Sequence, residues 1–245
     1  MDKKMNLASK DFSTSLLSGE GKNDYEKYIR TETLLSLQRT KENWLHRDEL
    51  IFQITHQSTE LWLKLNNEEI TEAIHELQHH RVTHAIALIQ RAKECIHLVT
   101  EQINILNHLT PHDFLTIRPA FGTGSGMDSP GWHNVSMSAK ALYKRFQLYI
   151  KEKNIDLIQV YTKSIHDEVF NLCEALIGWD EQTILWRMRH YQMVIRTIGH
   201  NSIGTKGTMS DTMAQRIYLK HFPQLWKVRS TLTMNANQHV SDLPK

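Results

Sequence analysis

The sequence holds two cysteines, five prolines and ten glycines among 245 residues, with no long apolar run and almost no net charge. Each shortage excludes something. Cys95 and Cys173 are too few for a disulfide-stapled secreted scaffold, a cysteine zinc site or an iron–sulfur cluster, and they fit a reducing cytoplasm. Lys+Arg 29 against Asp+Glu 27 leaves a formal charge of +2, which argues against a dedicated nucleic-acid binder. No stretch approaches the roughly 18 apolar residues of a spanning helix. The start MDKKMNLASKDF has no apolar signal core, so a soluble, untargeted, cytoplasmic chain is expected.

The few prolines and glycines punctuate the chain. Prolines stand only at 111, 119, 130, 223 and 244, and seven of the ten glycines fall in 122–131 and 199–207. The rest is free to be helical. Residues 1–22 read as an N-terminal arm, 23–230 as a single helical domain and 231–245 as a weakly structured tail. Within the domain, 46–71 places Phe52, His56, Thr59 and Leu63 on one helical side. Residues 72–108 predict a second long helix through Ala85, Leu88, Ala92, Cys95, Val99, Ile103 and Leu106, with a turn expected around HELQHHRVTH. Helices follow over 133–152, 154–178, with Gly178 as a stop, and 180–198. Ser210 is placed to cap a last helix, SDTMAQRIYLKHF, before Pro223. With no convincing alternating strand, the expected architecture is an all-α helical bundle.

What the chain does have is histidine, 15 residues of it. His75-Glu76-Leu77-Gln78-His79 matches HExxH, and His80 and His84 supply nitrogen nearby for the third ligand zinc needs, but its polar flanks read as a solvated helix end, whereas a catalytic zinc helix is normally buried. Two other histidines stand inside regular apolar helix patterns. His56 follows Phe52 by one turn beside Trp62 and Leu63. His190, in LWRMRHYQMVIRTIG, aligns with Trp186, Met193, Val194 and Thr197. An imidazole projecting from an apolar stripe suits a heme iron, although a core histidine has the same pattern. Arg118, at the mouth of the glycine-rich loop RPAFGTGSGMDSPGW, has the fork to bind a carboxylate. Thr205, in the turn GTKG, offers a hydroxyl beside backbone N–H groups. Neither glycine loop follows a strand or contains GxxxxGK[ST], which excludes a nucleotide-binding P-loop.

These residues lie in ordered segments, YEKYIRTETLLSLQ, HRDELIFQITHQSTELWLKL, LTPHDFLTIRP, WRMRHYQMVIRTIG, GTKG and FPQLWKVRS, that resemble successive signatures of the tryptophan 2,3-dioxygenase family of histidine-ligated heme oxygenases. The resemblance implies a largely helical homotetramer that uses ferrous heme b and O2 to cleave the indole C2–C3 bond of L-tryptophan, giving N-formylkynurenine. By that resemblance His190 is the axial ligand of the heme iron, and His56 is the histidine over the oxygen-binding face. Phe52 is an aromatic wall, Arg118 pairs with the substrate carboxylate, and Thr205 lies near the substrate's polar end. Tyr25, Tyr28 and Ile29 match a segment that reaches into a neighbouring subunit's site.

Three features depart from the family pattern. Phe114 stands where a tyrosine usually helps to bind the carboxylate. The turn GTKG puts Lys206 in place of a glycine, and the preceding loop reads GTGSGMDSPGW. The stretch from Arg118 to His190 is several dozen residues shorter. Two other outcomes keep the same residues: a heme monooxygenase or peroxygenase hydroxylating a tryptophan or tyrosine derivative, and a heme-binding sensor without turnover.

Overall fold

The computed structural model describes residues 14–241. Two short helices, α1 (Asp24–Ile29) and α2 (Thr31–Leu35), precede the long α3 (Glu49–Gln78) and α4 (Val82–Leu106). The short α5 (Pro111–Ile117) leads through the glycine loop to α6 (Pro130–Glu152). Then come the short α7 (Leu157–Thr162), the 31-residue α8 (Glu168–Ile198), the single turn α9 (Ala214–Ile217) and α10 (Pro223–Ser241). An isolated bridge between Ile203 and Met209 is the one extended pairing among the described residues. The fold is all-α.

Helices α3 and α4 form an antiparallel hairpin, and α6 packs on α3 while α8 packs on α4. The expected turn in HELQHHRVTH falls at His79–Arg81, where His80 takes a left-handed φ of 58°. The bundle closes on a main core. It contains Leu63, Ile70 and Leu77 from α3, Ile89, Ile96 and Val99 from α4, Leu142 and Phe146 from α6, Leu172, Leu176 and Trp179 from α8, and Phe222 and Leu225 at the start of α10. Each such side chain removed from water contributes about 1.5–3 kcal/mol before the entropy of ordering is counted.

Several boundaries differ from those the sequence predicts. Gly178 does not end a helix: α8 runs through it, because Asp167 caps the start by accepting from Phe170 N at 2.8 Å and the flanking Ile177 and Trp179 are buried. A helical glycine costs about 1 kcal/mol against alanine, which that burial outweighs. The break comes earlier, at 163–167, where His166 has a φ of 73° and Ile165 is exposed. After α8 the predicted helix SDTMAQRIYLKHF reduces to a 3-10 turn, Ser210–Met213, followed by α9. The last long helix instead starts at Pro223, where a missing N–H costs nothing. It continues to Ser241 through the region expected to be loose tail. Residues 1–13 of the expected arm and 242–245 of the tail lie outside the described residues.

Buried Asp180 ties α10 to α8. Its carboxylate accepts from His221 N at 3.0 Å, Phe222 N at 3.1 Å and Trp226 Nε1 at 2.9 Å. A carboxylate at a helix N-terminus meets both the unpaired N–H groups and the positive end of the helix dipole. Glu60 does the same for α6, accepting from Gly131 N at 2.9 Å and from the Ser129 hydroxyl.

Candidate active site

His56 stands on α3, and its Nδ1 lies 2.7 Å from the carbonyl oxygen of Phe52 one turn back. A carbonyl only accepts, so Nδ1 carries the proton and Nε2 keeps its lone pair. The Phe52 ring lies over the imidazole with centroids 4.1 Å apart. Burial among protein groups pushes the His56 pKa below its ordinary value, although the Phe52 carbonyl and Glu60 act in the opposite direction. The ring still keeps solvent-accessible surface. The result is a neutral imidazole with one uncommitted acceptor.

His190, near the C-terminal end of α8, is the second neutral imidazole. Burial, helped by the nearby His56, pushes its pKa down to about 4. Trp186, one turn earlier, stacks on the ring at 4.8 Å and 9°, and is itself packed by Trp132 from α6 at 3.7 Å. On another side lies Gly126, where a Cβ would come within 3.9 Å of His190 Cε1. No hydrogen-bond partner holds either nitrogen of His190 among the described residues. The two histidines far apart in sequence are therefore brought together, one from α3 and one from α8.

Beside His56 is an apolar cluster. Phe52 stacks on Phe121 at 4.9 Å and 8°, and Phe114 lies 6.2 Å from Phe52 and 6.1 Å from Phe121. Ile117, Leu106 and Leu109 back these rings, and Met193 reaches them from α8. The Thr110 capping box with Asp113 and Pro111 at the first turn start α5 where Phe114 and Ile117 face this cluster.

The polar residues come from two loops that bridge one another. Arg118 Nη2 donates to Ile203 O at 3.0 Å, and Thr205 Oγ1 donates to Gly124 O at 2.6 Å. The Lys206 ammonium pairs with Asp128, whose carboxyl it holds below the ordinary carboxylate range. Asp128 also accepts from Ser125 N at 3.0 Å, bracing the turn that carries Gly126. The second loop is pinned from below by Asp211, which accepts from Tyr191 OH at 2.6 Å and from Asn201 N at 2.7 Å.

Not every predicted residue joins this group. Tyr25, Tyr28 and Ile29 are 69%, 77% and 41% exposed on α1, which packs on α2. The HExxH match stays apart as well. The carboxyl of Glu76 is held to about 2, chiefly by Arg81, and His79 turns Nδ1 to the carbonyl of His75. That glutamate is too acidic to serve as a general base near neutral pH. Phe121, Gly126 and Asp128 were not singled out from the sequence. Phe121 could have been found as the second phenylalanine of DFLTIRPAF, while loop residues such as Gly126 carry no periodicity that would place them.

Residues 8–139 match the sequence profile of the family described as Tryptophan 2,3-dioxygenase. A protein named tryptophan 2,3-dioxygenase from Myxococcus xanthus (strain DK1622) is 27% identical over 271 positions, covering 89% of this chain and 93% of the relative. One of the same name from Xanthomonas oryzae pv. oryzae (strain PXO99A) is 28% identical, covering 89% of this chain and 90% of the relative. One from Xanthomonas campestris pv. campestris (strain B100) is also 28% identical, with coverage of 87% and 89%. The first alignment extends over more positions than the 245 residues of the chain, so the relative carries stretches that this chain lacks. With more than half of its length inside the family profile and 89% of it aligned to the first of these relatives, the chain belongs to the tryptophan 2,3-dioxygenase family.

Proposed function

We propose that this protein is a heme-dependent dioxygenase that opens the indole ring of L-tryptophan with O2 to give N-formylkynurenine. The observation that carries the reading is the pair of neutral imidazoles on α3 and α8, each with an uncommitted ring nitrogen. The donor set fits heme. His190 offers a lone pair that burial keeps unprotonated, Trp186 supplies a flat apolar neighbour, and Gly126 leaves beside the ring the space a side chain would fill. His190 would hold the iron. When bound, the heme supplies the oxygen-binding iron and the redox chemistry of the C2–C3 cleavage.

The chain's own residues would bind and orient the substrate. The Arg118 guanidinium pairs with the amino-acid carboxylate in the fork geometry that lysine cannot provide. Phe114 has no hydroxyl to help, so this arginine carries that contact with the loop around it. Thr205 lies at the polar end, and Phe52, Phe114 and Phe121 form an apolar wall for the indole. His56 Nε2 accepts the indole N–H, fixing the ring's orientation without acting as a strong base. Such positioning turns an encounter of separate reactants into a reaction within one complex. Both oxygen atoms remain in the product, so no external reductant is consumed. We further propose a cytoplasmic homotetramer in which Tyr25, Tyr28 and Ile29 of α1 complete the site of a neighbouring subunit.

The test is product mass from heme-loaded protein given L-tryptophan and O2. The expected product has gained two oxygen atoms and lost the closed indole. A gain of one oxygen would replace this reading with the monooxygenase, and a heme spectrum without oxygen consumption would replace it with the sensor. His190→Ala should abolish the ligation spectrum, whereas His56→Ala should keep heme bound. An unchanged iron spectrum in His190→Ala would overturn the assignment.

A further inference from the structure

Three contacts join the loop 118–131 to the turn 199–209: Arg118 to Ile203 O, Thr205 to Gly124 O, and Lys206 to Asp128. The first two are made by the groups that the proposed function assigns to substrate. A carboxylate binds a guanidinium more strongly than a backbone carbonyl does, so an arriving amino acid competes with Ile203 O for Arg118 and with Gly124 O for Thr205. Two of the three ties between the loops are then shared with the ligand. Only the Lys206–Asp128 pair uses no group the substrate needs.

We infer that Lys206 and Asp128 form a latch that keeps the two loops together while Arg118 and Thr205 exchange their backbone partners for substrate. They are positioning residues, and neither touches the reacting atoms. The latch has a second consequence through Asp128. One carboxylate oxygen takes the lysine and the other accepts from Ser125 N, which fixes the turn that sets Gly126 beside His190 Cε1. Keeping the two loops together and holding the backbone beside His190 thereby depend on the same carboxylate. Both side chains are substantially exposed, 40% for Lys206 and 47% for Asp128. An exposed pair adds little to global stability and is weakened by salt, so its effect is expected in ligand binding.

The inference rests on the proposed function for what the ligand is, and its test separates the two. In heme-loaded protein, Lys206→Ala and Asp128→Asn should each raise KM for L-tryptophan about two- to fivefold, the size expected of one exposed ion pair. kcat at saturation should change by less than about twofold. Asparagine retains an acceptor for Ser125 N, so Asp128→Asn isolates the loss of charge. Lys206→Arg should restore KM toward wild type. Raising salt should increase KM more in wild type than in Lys206→Ala. Independently of turnover, hydrogen exchange should become faster in Lys206→Ala at the amides of Gly204 and Gly207, which close the turn on Thr208 O and Gly204 O. Unchanged exchange in that turn overturns the latch whether or not the protein oxidises tryptophan. Faster exchange with no turnover in wild type supports the latch and overturns the proposed function. An unchanged KM together with normal turnover removes its role in binding.

Discussion

His56 has one hydrogen bond, and that bond decides what the residue can do. With Nδ1–H held by Phe52 O, the uncommitted Nε2 is an acceptor as long as the ring is neutral. Burial pushes its pKa below 6.5, so the acceptor form persists at neutral pH and is lost only as pH falls through the depressed value. Turnover should therefore decline on the acid side below pH 6.5, and His56→Ala should lack that limb while turning over roughly ten- to a hundredfold more slowly, the effect of about 1–3 kcal/mol for one unmade buried hydrogen bond. A pH profile of kcat for both proteins checks this, and an identical acid limb in the variant would assign it to another group. His56 and His190 were legible in the sequence because each interrupts an apolar helical stripe with the one side chain able to titrate near neutrality. Asp128 was not, since its importance comes from a lysine far along the chain, on a loop with no period to read.

At the scale of helices, patterning and capping decide different things. The stripe of α4 through Ala85, Ala92, Val99 and Leu106 is buried as predicted, because the 3.6-residue period survives whatever the neighbours are. Boundaries were less legible. Gly178 reads locally as a stop, yet α8 continues because packing on both sides outweighs a glycine's small propensity cost; the true break is set by Asp167, whose capping role depends on the geometry of the preceding loop. Gly131 shows the converse. Here glycine is required by close approach: a Cβ would stand 2.6 Å from Glu60 Oε2 and 2.8 Å from Leu63 Cβ. Gly131→Ala should push α6 away from α3 and lower stability by about 1–3 kcal/mol, the usual cost of forcing extra volume into a packed contact. Thermal unfolding measures it. A variant as stable as wild type would mean that Glu60 can yield without loss.

For the whole molecule, the sequence specified an all-α bundle but could not show how α1 is used, because Tyr25 and Tyr28 are apolar rings with no partner inside the subunit's core. If α1 completes a neighbour's site, two defective proteins should rescue each other. One carries His190→Ala and the other Tyr25→Ala with Tyr28→Ala. Co-expressed, they should recover activity that neither shows alone, because some sites then combine an intact α1 with an intact His190. Activity no greater than the sum of the separate proteins would place α1 in its own subunit.

The order in which the chain emerges gives Asp180 a temporal meaning. Its carboxylate is fully buried in α8, but the N–H groups that neutralise it belong to residues 41, 42 and 46 positions later. During synthesis α8, with His190 on it, leaves the ribosome while this charge still lacks its partners, and it can be buried only after Trp226 has been added. The helix that carries the candidate iron ligand thus gains the full set of donors for its buried carboxylate only once the chain has reached Trp226.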